Sequence, residues 1–157
     1  MKKFLFDFGT RDAATAQGIF ALRVMTGLMM LIGHGIPKIR HYAALKDSFY
    51  VANLFPFSHL SPPLSLMACI GAEVGASILI ILGLTTRPAA FVLAFCMVVA
   101  VFARQAGAPW FCSPPNIVDA KELGLLYLIP LVSIILTGAG AWSLDARLYR
   151  ENRYRRR

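Results

Sequence analysis

The stretch that most limits what this chain can become runs from Leu64 to Leu84. It carries a single charged side chain, Glu73, in an otherwise apolar and small-residue run. Wound as an α-helix it rises ~31 Å, about one hydrocarbon core. Its start is marked by Ser61 followed by Pro62 and Pro63, residues suited to an N-cap and a first helical turn. Three further apolar runs read as helices: about Ala16 to Ile36, Pro88 to Ala103, and about Lys121 to Gly138 with Pro130 set to kink it. The short link Thr85-Thr86-Arg87-Pro88 has its own cap and helix-starting proline, so the helices on either side should pack antiparallel.

A soluble chain of 157 residues could not hide this much apolar surface, with 57% of its residues hydrophobic and only 15% charged. The expected fold is therefore an all-α membrane protein, a single four-transmembrane-helix antiparallel bundle. The lead-in Met1 to Thr15 mixes charges with Phe4, Leu5, Phe6 and Phe8 and reads as an amphipathic surface segment, without the pattern of a cleaved signal peptide. Between the first two helices, the aromatic segment around Phe49 to Phe57 is too apolar for a solvated loop and should lie in the interface or fold back over the bundle. Pro109-Trp110-Phe111 reads as an interfacial anchor.

The net charge of +8 is concentrated in a basic tail over residues 146–157, with Arg147, Arg150, Arg153, Arg155, Arg156 and Arg157. Arginines directly after an apolar helix mark a cytoplasmic flank beside anionic lipid; no aromatic platform supports nucleic-acid binding. With Lys2, Lys3, Arg11 and Arg87 they outnumber Lys38, Arg40, Lys46, Arg104 and Lys121 on the other side two to one, which predicts both termini cytoplasmic.

Charges inside the apolar runs carry the functional interest. Arg23 and Glu73 each cost ~2.5–3.5 kcal/mol at a helix centre on insertion scales, so each needs a partner. Their depths from the cytoplasmic ends differ by only ~6 Å, which predicts an Arg23–Glu73 pair serving as a register lock or as an intramembrane quinone or proton site. Arg87 and Arg104 at the ends of the third helix should snorkel outward. Gly71-Ala72-Glu73-Val74-Gly75, with the row Ala68, Ala72 and Ala76, suggests close helix contact and leaves a homo-oligomer open. At the opposite face His34, Lys38, Arg104 and Glu122 should form an outer polar cluster. His34, His41 and His59 lack the spacing of haem ligands, and no metal site is expected. Cys69, Cys96 and Cys112 form no Cys-x-x-Cys pair; the first two read as small hydrophobes, and Cys112 as a loop cysteine open to reaction.

Several of these elements together resemble the DoxX family. They are Leu22-Arg23 with Gly27, Gly35-x-Pro37-Lys38, Glu73, Gly83-Leu84-x-Thr86-Arg87-Pro88-Ala89-Ala90, Glu122-Leu123-Gly124-Leu125-Leu126-Tyr127, and the closing Gly138-Ala139-Gly140-Ala141-Trp142-Ser143-Leu144-Asp145. The resemblance covers roughly residues 16–145, and its closing motif is its most specific part. Arg104 stands where many relatives carry histidine, which speaks against carrying over a histidine-dependent redox role. The resemblance implies a multi-pass protein of a bacterial inner membrane, in contact with the bilayer and serving as membrane subunit or anchor of a quinone-linked redox or thiol-stress system with a soluble oxidoreductase partner. From the residues themselves a non-enzymatic anchor or assembly factor, or a small proton-coupled transporter using Glu73, stays open; no self-sufficient catalytic motif is present.

Overall fold

The computed structural model describes residues 13–52, 57–113 and 120–148. Most of the amphipathic lead-in, the centre of the aromatic segment and most of the basic tail lie outside the described residues; the last three lead-in residues, 13–15, already belong to the first helix. The described chain is all-helical. Its elements are α1 (Ala13–Met30), a π-helical turn (Leu31–Gly35), α2 (Ile36–Arg40), α3 (Tyr42–Leu45), α4 (Pro62–Leu82), α5 (Thr86–Val99), a second π-helical turn (Ala100–Arg104) and α6 (Glu122–Thr137), with a 3-10 turn at Phe57–His59.

Three stretches are long and apolar enough to cross a membrane: Ala13–Arg40, Pro62–Leu82 and Thr86–Arg104. The apolar α6, Glu122–Thr137, is shorter. The first helix was expected to stop at Ile36 and instead continues through Pro37. The π turn explains this, because Ile36 N–H reaches back to Leu31 O, so the ladder is already shifted where the proline lacks a donor. The third is longer than expected for a similar reason: Gln105 N–H bonds to Ala100 O across the second π turn.

α1 packs against α4 and α6, and α5 packs against the same two, closing a ring in the order α1, α4, α5, α6. Met30, Ile80, Leu93, Met97, Leu131 and Ile134 fill the centre. Outward, large apolar side chains such as Phe91 (63% exposed) and Leu136 (69%) face away from the protein. A contiguous apolar exterior would drive aggregation in water but costs nothing against lipid tails.

Close helix approach occurs at places other than the Gly71/Gly75 row, where a Cβ would meet nothing within 4 Å. Within this chain the two glycines make no close contact, whereas Ala76 of the neighbouring row is buried in the core. α4 turns its Val74–Ser77–Ile81 side to the first helix, where Gly27 and Gly35 let it in. A Cβ at Gly27 would sit 2.6 Å from Ile81 Cγ1, and one at Gly35 2.8 Å from Val74 Cγ2. The row at 71 and 75 lies off that contact.

The start of α4 follows the expected prolines, with Ser61 extended at the N-cap, although its hydroxyl makes no capping bond. Its end is a Schellman turn: Leu84 N–H bonds to Leu79 O and Gly83 N–H to Ile80 O, with Gly83 at φ 70°.

Candidate functional site

Arg23 and Glu73 both lie buried, but they do not pair. Glu73, 2% exposed, takes Lys38 as its ion-pair partner through Oε1. Arg23 donates from Nη2 to Trp142 O at 2.7 Å and lies 5.5 Å from the Phe20 ring centroid. The predicted pair fails because helical side chains lean toward their own N-terminus. On antiparallel neighbours Arg23 and Glu73 lean to opposite ends. Arg23 reaches Gly83, where a Cβ would lie 1.7 Å from Nη1. Gly83 is about ten residues, or ~15 Å, along α4 from Glu73.

At the Arg23 end the closing motif folds into a clasp. Asp145 accepts from Thr85 N–H at 2.8 Å through Oδ1, and from Thr86 N–H at 3.0 Å and the Thr86 hydroxyl at 3.1 Å through Oδ2. A carboxylate brought from about sixty residues away thus caps α5, whose own Thr85, held at φ 45°, makes no side-chain cap. Asp145 N–H in turn bonds to Gly83 O at 2.8 Å. Trp142 stacks edge-on with Phe20 at 5.6 Å. Arg87, expected to snorkel outward, is instead buried and donates to Leu136 O at 3.2 Å, a cation set against the last turn of α6. This end holds helices together.

The other end is built differently. Lys38, Glu73 and Arg104 line one cavity of about 330 Å³, whose remaining lining is predominantly apolar. Both cations owe their position to the π turns. Lys38 comes just after the first, and Arg104 is the last residue of the second. Each π turn inserts one extra residue, which rotates the downstream side chains by about 100°; π turns of this kind are frequent at functional sites. No sequence pattern exposed them. α4 supplies Cys69 and Glu73, α5 supplies Phe91, Phe95 and Cys96, and Phe49, Tyr50 and Ala52 come from the connecting segment, tied down where Ser65 Oγ donates to Tyr50 O at 3.1 Å.

Within this cavity Glu73 Oε2 is buried and accepts no hydrogen bond, while Oε1 also accepts from the Cys69 thiol at 3.5 Å. A half-satisfied carboxylate in an apolar chamber is costly unless something else meets it. Phe91 and Val92 line the cavity and are also exposed on the outer surface of α5.

The expected outer cluster is divided. Lys38 and Arg104 join the cavity. His34 packs edge-on against Tyr127, with centroids 5.1 Å apart. Glu122 accepts from Cys112 N–H at 2.8 Å and fixes the loop before α6. Lys121 Nζ donates to Ala106 O at 2.8 Å and lies 4.6 Å from the Trp110 ring centroid, holding the aromatic loop in place. Among the described residues no group of three or more His, Cys, Asp or Glu side chains is arranged to hold a metal ion.

Among known protein families, the DoxX family model matches residues 18–106. A Haemophilus influenzae protein, described only as uncharacterized, is 37% identical over 130 residues, covering 83% of this chain and 90% of its own length. No solved structure matches.

Proposed function

The chain belongs to the DoxX family of integral membrane proteins, and from that premise we propose that it is an inner-membrane subunit of a quinone-linked redox system, holding a quinone head in the Lys38–Glu73 cavity. The single observation carrying this reading is a buried carboxylate with one unmet oxygen, facing a lipid-flanked apolar chamber. The volume of about 330 Å³ is at the small end of ligand sites, which suits a ring with its tail left in the bilayer.

The residues fit such a guest. Lys38 can donate to a ring oxygen, and Glu73 can hold or release a proton at Oε2. Phe91, Phe95 and Tyr50 offer packing surfaces for the ring, and Arg104 brings positive charge to the rim. When bound, a quinone supplies exchange of two electrons and two protons; this chain contributes binding, orientation, exclusion of water and a protonatable group. The electrons would come from a soluble oxidoreductase partner. In this reading four helices cross the membrane and both termini are cytoplasmic, supported by the Lys and Arg bias of the flanks.

The test is titration of the purified full chain in lipid nanodiscs with a short-tailed ubiquinol analogue, whose ring hydroxyl can donate to Glu73 Oε2. Glu73→Gln should weaken binding about tenfold or more, the worth of a hydrogen bond involving a charged group. Equal affinity in wild type and variant would sink the site.

A further inference from the structure

The cavity holds two cysteines in unequal settings. Cys69 and Cys96 both line it, but only Cys69 has its thiol hydrogen-bonded to Glu73, at 3.5 Å from Oε1. The other carboxylate oxygen is buried and unpartnered in the same chamber. The Lys38 ammonium sits on Oε1. A thiol in apolar surroundings is ordinarily inert, because forming a thiolate there is unfavourable. A carboxylate in contact changes the step: the proton can leave the sulfur as the new bond forms, so no free thiolate has to build up in the chamber.

We propose that Cys69 is a nucleophilic modification site for lipid-soluble α,β-unsaturated carbonyl compounds, with Glu73 as its base. The inference rests on the reading of the cavity as a chamber open to the bilayer, and it names an electrophile class for it. The sulfur adds to the β-carbon, the alkene π pair becomes a π bond between the α-carbon and the carbonyl carbon, and the carbonyl π pair moves onto oxygen to give an enolate. The thiol proton passes to Glu73 Oε1 and from there to the α-carbon. The product is a thioether, the carboxylate is regenerated, and no oxidant or reductant is consumed. Cys96 shares the chamber and its access but has no such bond to the carboxylate, so it serves as an internal reference.

The experiment is timed alkylation of the full chain in nanodiscs with N-ethylmaleimide, each cysteine tracked by peptide mass spectrometry. Cys69 should label about 10-fold faster than Cys96 or more. In Glu73→Gln that advantage should collapse while Cys96 keeps its rate. Equal rates in wild type, or an advantage that survives Glu73→Gln, would overturn the proposal. If Glu73→Gln loosens the fold, seen as a jump in Cys96 labelling, Glu73→Asp keeps the charge while shortening the side chain by one methylene. It should also slow Cys69, and an undiminished rate overturns the proposal equally. Maleimide needs no bound quinone, so the two readings fail separately. Selective Cys69 labelling without quinone affinity sinks only the quinone, and quinone affinity without selectivity sinks only the nucleophile.

Discussion

Lys38 and Glu73 form the ion pair on which the candidate site depends, and because Glu73 is buried while Lys38 is partly exposed its energetics are asymmetric. Removing one partner leaves an uncompensated charge, which typically costs about 3–5 kcal/mol, whereas removing both can be nearly neutral. Lys38→Met should therefore lower the unfolding midpoint in detergent substantially, and Lys38→Met combined with Glu73→Gln should recover most of the loss. Additive losses in the double variant would show that the two side chains do not act as a pair. Glu73 is legible in the sequence as the charge that breaks an apolar run, and Lys38 as part of a polar helix end. Their partnership is not, because depth along a helix ignores the direction in which each side chain leans. The same omission produces the mistaken Arg23–Glu73 pair. Cys69 escapes notice for a similar reason: a cysteine in an apolar run carries no sign of the carboxylate one turn away until rotamers are known.

Among the elements, the turn between α4 and α5 and the closing motif act as one unit. Gly83 occupies a left-handed conformation with the Arg23 guanidinium against it, so Gly83→Ala meets both backbone strain and a clash. Gly71→Ala, in open space within a helix, should be neutral or stabilise by about 0.5–1 kcal/mol. Thermal unfolding of the two variants should separate clearly, with Gly83→Ala far the worse. Asp145→Ala should cost about 0.5–2 kcal/mol or somewhat more, because α5 then loses its cap and Thr85 its restraint. A midpoint unchanged in Asp145→Ala would mean that the clasp is incidental. The helices themselves are readable from apolar runs, prolines and glycines, to within a few residues. The π turns are not, since a shift of one hydrogen bond leaves no mark in composition. Yet they carry the first helix through Pro37 and aim Lys38 and Arg104.

For the molecule as a whole, the two ends differ in kind. One is closed by Arg23, Asp145 and Trp142; the other is hollow and lined by Lys38, Glu73 and Arg104 among apolar side chains. The membrane character of the chain is plain from its apolar runs alone, while the cavity needs three dimensions, because its walls come from segments distant in sequence. If both termini are cytoplasmic, a reporter active only in the cytoplasm should function when fused to either end, and a periplasmic reporter should function only in the connection after Arg40 or in the loop after Arg104. The reverse pattern would overturn the orientation. The most direct test of the central claim is photo-crosslinking of an azido-quinone to the full chain in nanodiscs, with adducts mapped by mass spectrometry. Adducts should fall on Tyr50, Phe91 or Phe95 and disappear with excess unmodified quinone or in Glu73→Gln. Adducts confined to the Arg23 end, or labelling that excess quinone does not displace, would contradict it.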